Sequence, residues 1–160
     1  MDSRKRKKPF SHLAKTMFLG EHTHALDDKK RLTLPSKLRK AVGKRVVVTR
    51  GLDGCLFLYP EKGWSGIAEK LGALGMGQAD TRGFARFMLA GAVETEIDSA
   101  GRILVPEHLR EFAGIKASVV VAGVHNRLEL WDESRWKSYA SSVAKAADAM
   151  AEKLGQVGAI

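Results

Sequence analysis

One ten-residue phrase occurs twice in this chain, and the repeat limits what it can fold into. Leu26-Asp27-Asp28-Lys29-Lys30-Arg31-Leu32-Thr33-Leu34-Pro35 returns 71 positions later as Ile97-Asp98-Ser99-Ala100-Gly101-Arg102-Ile103-Leu104-Val105-Pro106. The same offset carries Leu38-Arg39 onto Leu109-Arg110 and Gly43 onto Gly114. In each copy three residues separate Asp from Arg, with β-type apolar positions on both sides. That is the pattern of a hairpin with a three-residue loop, a type I turn followed by one left-handed residue. Gly101 fills the left-handed position in the second copy and Lys30 in the first. A left-handed non-glycine residue costs about 1 kcal/mol, so a looser or reshaped first turn is expected. Asp27 should face Arg31, and Asp98 should face Arg102, across the mouth of each hairpin, a pair worth about 0.2–1 kcal/mol. On this ground alone, Asp27, Asp98 and Gly101 serve to stabilise turns.

The rest of each copy follows from punctuation. Pro35 ends the returning strand and opens a short helix from Ser36, with Leu38, Ala41 and Val42 on one face, until Gly43 stops it. Val46-Val47-Val48-Thr49, the turn Gly51-Leu52-Asp53-Gly54 and Cys55 to Tyr59 make a second hairpin. With an offset of 72 it becomes Val119-Val120-Val121, a turn around Gly123 to Asn126, and Leu128-Glu129-Leu130-Trp131; Trp64 then falls on Trp136. Each unit is two hairpins around a short helix. Between the units, Trp64, Ile67, Ala68 and Leu71 follow one helical spacing. Phe84, Phe87, Met88 and Gly91 follow another, with Asp80 or Thr81 as its cap. Trp136, Tyr139, Ala140, Val143, Ala147, Met150 and Leu154 mark a long helix whose apolar stripe suits core packing first and a contact between subunits second; Gly155 to Ile160 should fray. The fold class is α+β. The organisation is a basic disordered arm (1–16), a first repeat (17–63), a helical linker (64–87), a second repeat (88–131), and a C-terminal helix and tail (132–160).

Composition narrows the function. With 44% apolar residues, 160 residues suffice for one domain or two half-units sharing a core. The single cysteine, Cys55, lies in an apolar stretch and reads as a core residue. No apolar run reaches the length of a membrane span. The net charge of +9 points to a polyanionic partner. It is unevenly placed: residues 1–16 carry six basic side chains against one acidic, 17–63 ten against five, and 88–131 four against six. The arm is read either as a phosphate-gripping extension or as sequence preceding a start at Met17. No hydrolase, metalloprotease or P-loop motif is present, and His22 and His24, although close, lack further ligands for a metal. Neither an enzyme nor a metal or cofactor site is expected.

A nucleic-acid-binding protein fits better. Lys29, Lys30 and Arg31 cluster at the first turn, and Lys37, Arg39 and Lys40 extend the positive surface onto the helix behind it. Arginine on a projecting turn can pair bidentately with guanine while lysines neutralise phosphates, and a two-stranded ribbon fits the major groove. The alternative is an oligomeric interaction scaffold whose arm binds RNA or anionic surfaces without specificity.

At these residues the chain resembles the MraZ family of bacterial transcriptional regulators. The resemblance runs from Met17 to about Tyr139. It rests on Met17-Phe18-Leu19-Gly20, both D-x-x-x-R motifs with their apolar triplet and proline, Thr49-Arg50-Gly51-Leu52-Asp53-Gly54-Cys55-Leu56, and Phe87 to Val93. It implies two fused swapped-hairpin half-motifs of the AbrB/SpoVT type forming an intertwined β barrel with peripheral helices. It also implies ring-like homo-oligomers in the cytoplasm, associated with the nucleoid. The DNA bound would be short promoter repeats, including those of the protein's own division and cell-wall operon, usually for repression. The DNA-contacting role of the motif arginine carries over to Arg31 and less directly to Arg102. Lys30 replaces the usual glycine.

Overall fold

Three prolines decide where strands hand over to helices. Pro35, Pro60 and Pro106 each sit at a helix N-cap with φ of −55°, −56° and −57° and extended ψ, so each leaves a strand and enters a helix without sacrificing an N–H bond. The computed structural model describes residues 17–160, and the basic arm of 1–16 lies outside the described residues. In chain order the elements are β1 (Glu21–Ala25), β2 (Arg31–Thr33), α1 (Ser36–Val42), β3 (Arg45–Arg50), β4 (Leu56–Pro60), α2 (Glu61–Gly72), α3 (Ala79–Leu89), β5 (Val93–Glu96), β6 (Arg102–Leu104), α4 (Glu107–Ala113), β7 (Ser118–Val124), β8 (Arg127–Asp132) and α5 (Glu133–Gln156).

The expected first hairpin of each repeat does not form as a local pair. The turns close, with Asp27 N donating to Arg31 O and Asp98 N donating to Arg102 O, both at 3.0 Å. Beyond them the strands part: β1 pairs with β7 of the other half, β5 pairs with β3, and β2 pairs with β6. A six-stranded antiparallel sheet results, in the order β1-β7-β8-β4-β3-β5, beside a two-stranded sheet of β2 and β6. Exchanging the two repeats leaves this order unchanged, so the halves are related by a pseudo-two-fold axis between β4 and β8. Hydrogen bonding runs in two separate sheets, and no ladder closes them into one barrel among the described residues.

Alternation along the strands divides the interior. Val46, Val48, Leu56, Leu58, Val119, Val121, Leu128 and Leu130 face one way and pack with Leu32, Ile103, Leu38 and Leu109 from the small sheet, α1 and α4. Phe57, Tyr59, Val120 and Trp131 face the other way, under α2, α3 and the start of α5. Cys55 belongs to this second cluster, where burial pushes its thiol pKa up and makes it a core residue rather than a nucleophile. Tyr59 with Trp64 and Trp131 with Trp136 form matching aromatic pairs, with centroids 5.7 and 5.4 Å apart. The Thr49 hydroxyl is buried and donates to Met88 O at 2.6 Å, fixing α3 against β3.

Three helix details differ from the sequence reading. α2 begins at Glu61 because Pro60 can act as its cap, three residues before the first apolar position. α3 is preceded by Gln78, so Asp80 and Thr81 lie inside it; Thr81 instead hydrogen-bonds back to the carbonyls of Gly75 and Gln78. α5 continues to Gln156, and only its first turns are covered: Trp136 and Tyr139 pack on Trp131, whereas Met150 and Leu154 are about 45% exposed.

Gly123 provides a test of how the Phe18–Leu19 segment is docked. Phe18 exchanges backbone hydrogen bonds with His125, and a β-carbon at position 123 would lie 2.5 Å from Leu19 N and 2.7 Å from Phe18 C. Backbone atoms cannot swing aside, so Gly123→Ala should destabilise the fold by about 1–3 kcal/mol in urea denaturation. An unchanged midpoint would mean that the Phe18 segment is not held there.

Candidate nucleic-acid interface

The cross-pairing of β2 with β6 is what assembles the site. Arg31 lies opposite Leu104, Leu32 opposite Ile103, and Thr33 opposite Arg102. Leu32 and Ile103 are fully buried, so the pleat sends Arg31, Thr33, Arg102 and Leu104 to the outer face. Two turns 71 residues apart in sequence are thereby neighbours on one surface.

Each turn is organised by its aspartate. Asp27 Oδ1 accepts from the backbone N–H groups of Lys29 and Arg31 at 3.0 and 2.8 Å, and Asp98 Oδ1 from those of Ala100 and Arg102 at 3.0 and 2.9 Å. The second carboxylate oxygen takes the arginine Nε, at 2.7 Å in the first turn and 2.8 Å in the second. Arg102 Nη1 also comes within 3.8 Å of Asp27 Oδ2, linking the turns. The expected Asp–Arg pairs are therefore present. The expected reshaping of the first turn is not, since Lys30 adopts φ 62° where Gly101 has φ 76° and both turns have the same backbone hydrogen bonds. The Asp27 side chain, bonded to N–H groups on either side of Lys30, offsets the left-handed penalty.

The predicted cations divide into two groups. Lys29 and Lys30 are exposed at the tip of the turn, and Lys37 is exposed on α1. Arg31 and Arg102 are partly buried, with side-chain exposures of 29% and 32%, and reach the surface. Arg39 is half-buried, like Arg31 and Arg102, and is tethered towards the second turn. Its Nε donates to Leu34 O at 3.0 Å, and its guanidinium lies so close over Gly101 that a β-carbon there would collide with it. A helix of the first half thus places positive charge against the second turn, whose own tip, Ser99-Ala100-Gly101, has none. Arg110 repeats the tether, its Nε donating to Val105 O at 3.0 Å.

Leu104 was missed by the sequence reading. It is 53% exposed directly opposite Arg31, and only the β2–β6 register reveals that position. His22 and His24 line a shallow hollow with Lys37 and Arg39, and no cluster of three metal-ligating side chains occurs among the described residues.

The backbone N–H of Arg31 and the Arg31 guanidinium hold the Asp27 carboxyl below its ordinary pKa, against a smaller opposing effect of desolvation; Arg102 does the same for Asp98. A carboxylate whose pKa is lowered on folding contributes stability above its unfolded value, and this is lost as pH falls through the folded value. Acidification below about pH 4 should therefore loosen both turns. In urea titrations from pH 6 to pH 2, the Asp27→Asn, Asp98→Asn double variant should lose less stability than the parent; equal losses would remove these carboxylates as the acid-sensitive groups.

The family profile described as "MraZ protein, putative antitoxin-like" matches residues 17–87 and again 88–156. A protein of Heliobacterium modesticaldum named transcriptional regulator MraZ is 49% identical over 138 residues, 86% of this chain and 96% of the relative. Proteins of the same name are 46% identical in Moorella thermoacetica, over 86% of this chain and 96% of the relative, and 44% identical in Acetivibrio thermocellus, over 89% and 99%. With nearly the whole length of these relatives matched, and the doubled turn built as the repeat requires, this chain belongs to the MraZ family.

Proposed function

We propose that this transcriptional regulator recognises double-stranded promoter DNA by presenting the outer face of β2 and β6 to the major groove. The observation that supports this most is the convergence of the two turns, with Asp27 within 2.7 Å of Arg31 Nε and 3.8 Å of Arg102 Nη1. A guanidinium gripped through Nε keeps its orientation while its terminal nitrogens remain available to pair with guanine O6 and N7. Arg31 is the principal reader and Arg102, drawn towards Asp27, the secondary one. Lys29, Lys30 and Lys37 neutralise phosphates, and Leu104 offers an apolar contact for a thymine methyl group. Arg39 acts by bracing the second turn from behind. Asp27, Asp98 and Gly101 hold turn geometry.

The repeats at 17–63 and 88–131 are the two halves of this reader, the helices at 64–87 and 132–160 its supports, and the arm at 1–16 a further phosphate grip. Copies assembled in a ring would present the face repeatedly to tandem sites, multiplying weak contacts into avidity. The exposed apolar positions on the distal part of α5 supply surface for that assembly. Repression of the protein's own division and cell-wall operon, on the nucleoid in the cytoplasm, is the regulatory role this reading favours.

Titration of the purified protein against its own upstream DNA at two salt concentrations tests the assignment. Arg31→Ala should weaken binding by about 1–3 kcal/mol and relax base preference, with a smaller loss for Arg102→Ala. Lys30→Ala should weaken binding to all sequences alike and lower the salt slope by about one. Unchanged promoter affinity and selectivity in Arg31→Ala would rule out the β2–β6 face as the reader.

A further inference from the structure

The two halves differ at one place where their symmetry predicts the same contents. In the second half, Arg135 near the start of α5 lays its guanidinium between the end of α4 and the β3–β4 turn. A β-carbon on Gly114 would come within 2.6 Å of it, and one on Gly54 within 3.5 Å of Arg135 Nη1. The 72-residue offset that pairs Trp64 with Trp136 puts Gly63 at the place of Arg135, and Gly43 is the counterpart of Gly114. Among the described residues, nothing lies within 4 Å of a β-carbon on Gly43. Instead of a guanidinium, the first half has a cavity of about 460 Å³ between the end of α1, the start of α2 and the β7–β8 turn.

The surroundings of the cavity indicate what suits it. Phe18, Val42 and Pro60 contribute apolar surface, while Lys40, Lys44 and Lys62 stand around it. The counterparts of those three lysines in the second half are Glu111, Ala117 and Ser134, since Lys44 O accepts from Ile97 N as Ala117 O accepts from Leu26 N. Where the chain supplies its own cation, these three positions carry no basic residue, although Lys116 lies beside one of them; where it leaves a space, all three are lysines. Among the described residues Glu61 is the one acidic side chain on the lining, and Arg45, also there, is paired with Glu96 at 3.2 Å. The volume lies within the range of small-molecule sites, and an apolar floor with a few charged groups is their usual composition.

We propose that this cavity is a binding site for a small amphipathic anion, a phosphate or similar group on an apolar body, with Lys40, Lys44 and Lys62 around the anionic group and the apolar body against Phe18, Val42 and Pro60. The site shares no residue with the outer face of β2 and β6, so it stands or falls separately from the DNA-reading assignment.

Titration of the full chain with octyl phosphate below its micellar concentration, followed by calorimetry, tests the proposal. Binding should saturate at one molecule per chain, and inorganic phosphate or neutral octyl glucoside should bind at least about tenfold more weakly. Gly63→Arg, which copies into the first half the residue already used in the second, should abolish binding. The exposed Lys44→Glu, Lys62→Glu pair provides a second variant and should weaken octyl phosphate at least about tenfold without affecting octyl glucoside. Absence of saturable binding, equal affinity for octyl glucoside, or undiminished binding in both variants would overturn the assignment.

Discussion

A three-residue ladder between β2 and β6 holds this protein's architecture together. Neither strand is long enough to be stable as an isolated pair, and each repeat has too little apolar surface for a core of its own. By crossing to the opposite half, Leu32 and Ile103 become fully buried beneath a sheet that both halves have built. The exchange of β1 onto β7 and of β5 onto β3 completes the same swap. One backbone arrangement therefore closes the interior and brings two distant turns to a common surface, so stability and the proposed recognition face depend on the same hydrogen bonds.

Much of this was legible because local chemistry determines it. Pro35 and Pro106, with Gly43 and Gly114, bracket α1 and α4 as the sequence indicates, and the short β-type runs Val46 to Thr49 and Leu128 to Trp131 mark β3 and β8. The Asp–Arg pairs follow from the spacing of a three-residue loop. Partner choice was not legible from the residues themselves, and only the family resemblance implied a swap, because the turn at Asp27–Arg31 has the same internal hydrogen bonds whether its strands pair with each other or separate to different neighbours. The left-handed Lys30 was misjudged for a related reason: the penalty lies in its own dihedrals, whereas the compensation comes from Asp27 three residues earlier. Arg39 reads as a surface cation on a helix, and only the approach of α1 to Gly101 across the swap shows that its guanidinium also lies over the second turn. Leu104 reads as one member of an apolar triplet until the register places it outside.

The duplicated frame also allows the halves to diverge electrostatically without changing shape. The first turn carries its own lysines, while the second borrows the charge of Arg39 and needs glycine at position 101 to accept it. Arg135 fills a space that Gly63 leaves open. In a protein with pseudo-two-fold symmetry such differences are informative, since the fold is held constant and only the side chains vary. They are the basis for proposing the first turn as the stronger reader and one end of the molecule as a place for a ligand.

Hydrogen–deuterium exchange of the intact protein, alone and with a duplex bearing its own upstream repeats, tests the central claim most directly. Residues 27–33 and 98–104 should both gain protection on binding, since the β2–β6 ladder presents them together. Protection confined to α5 or to the helices of 61–89, with both turns exchanging as in the free protein, would contradict the account.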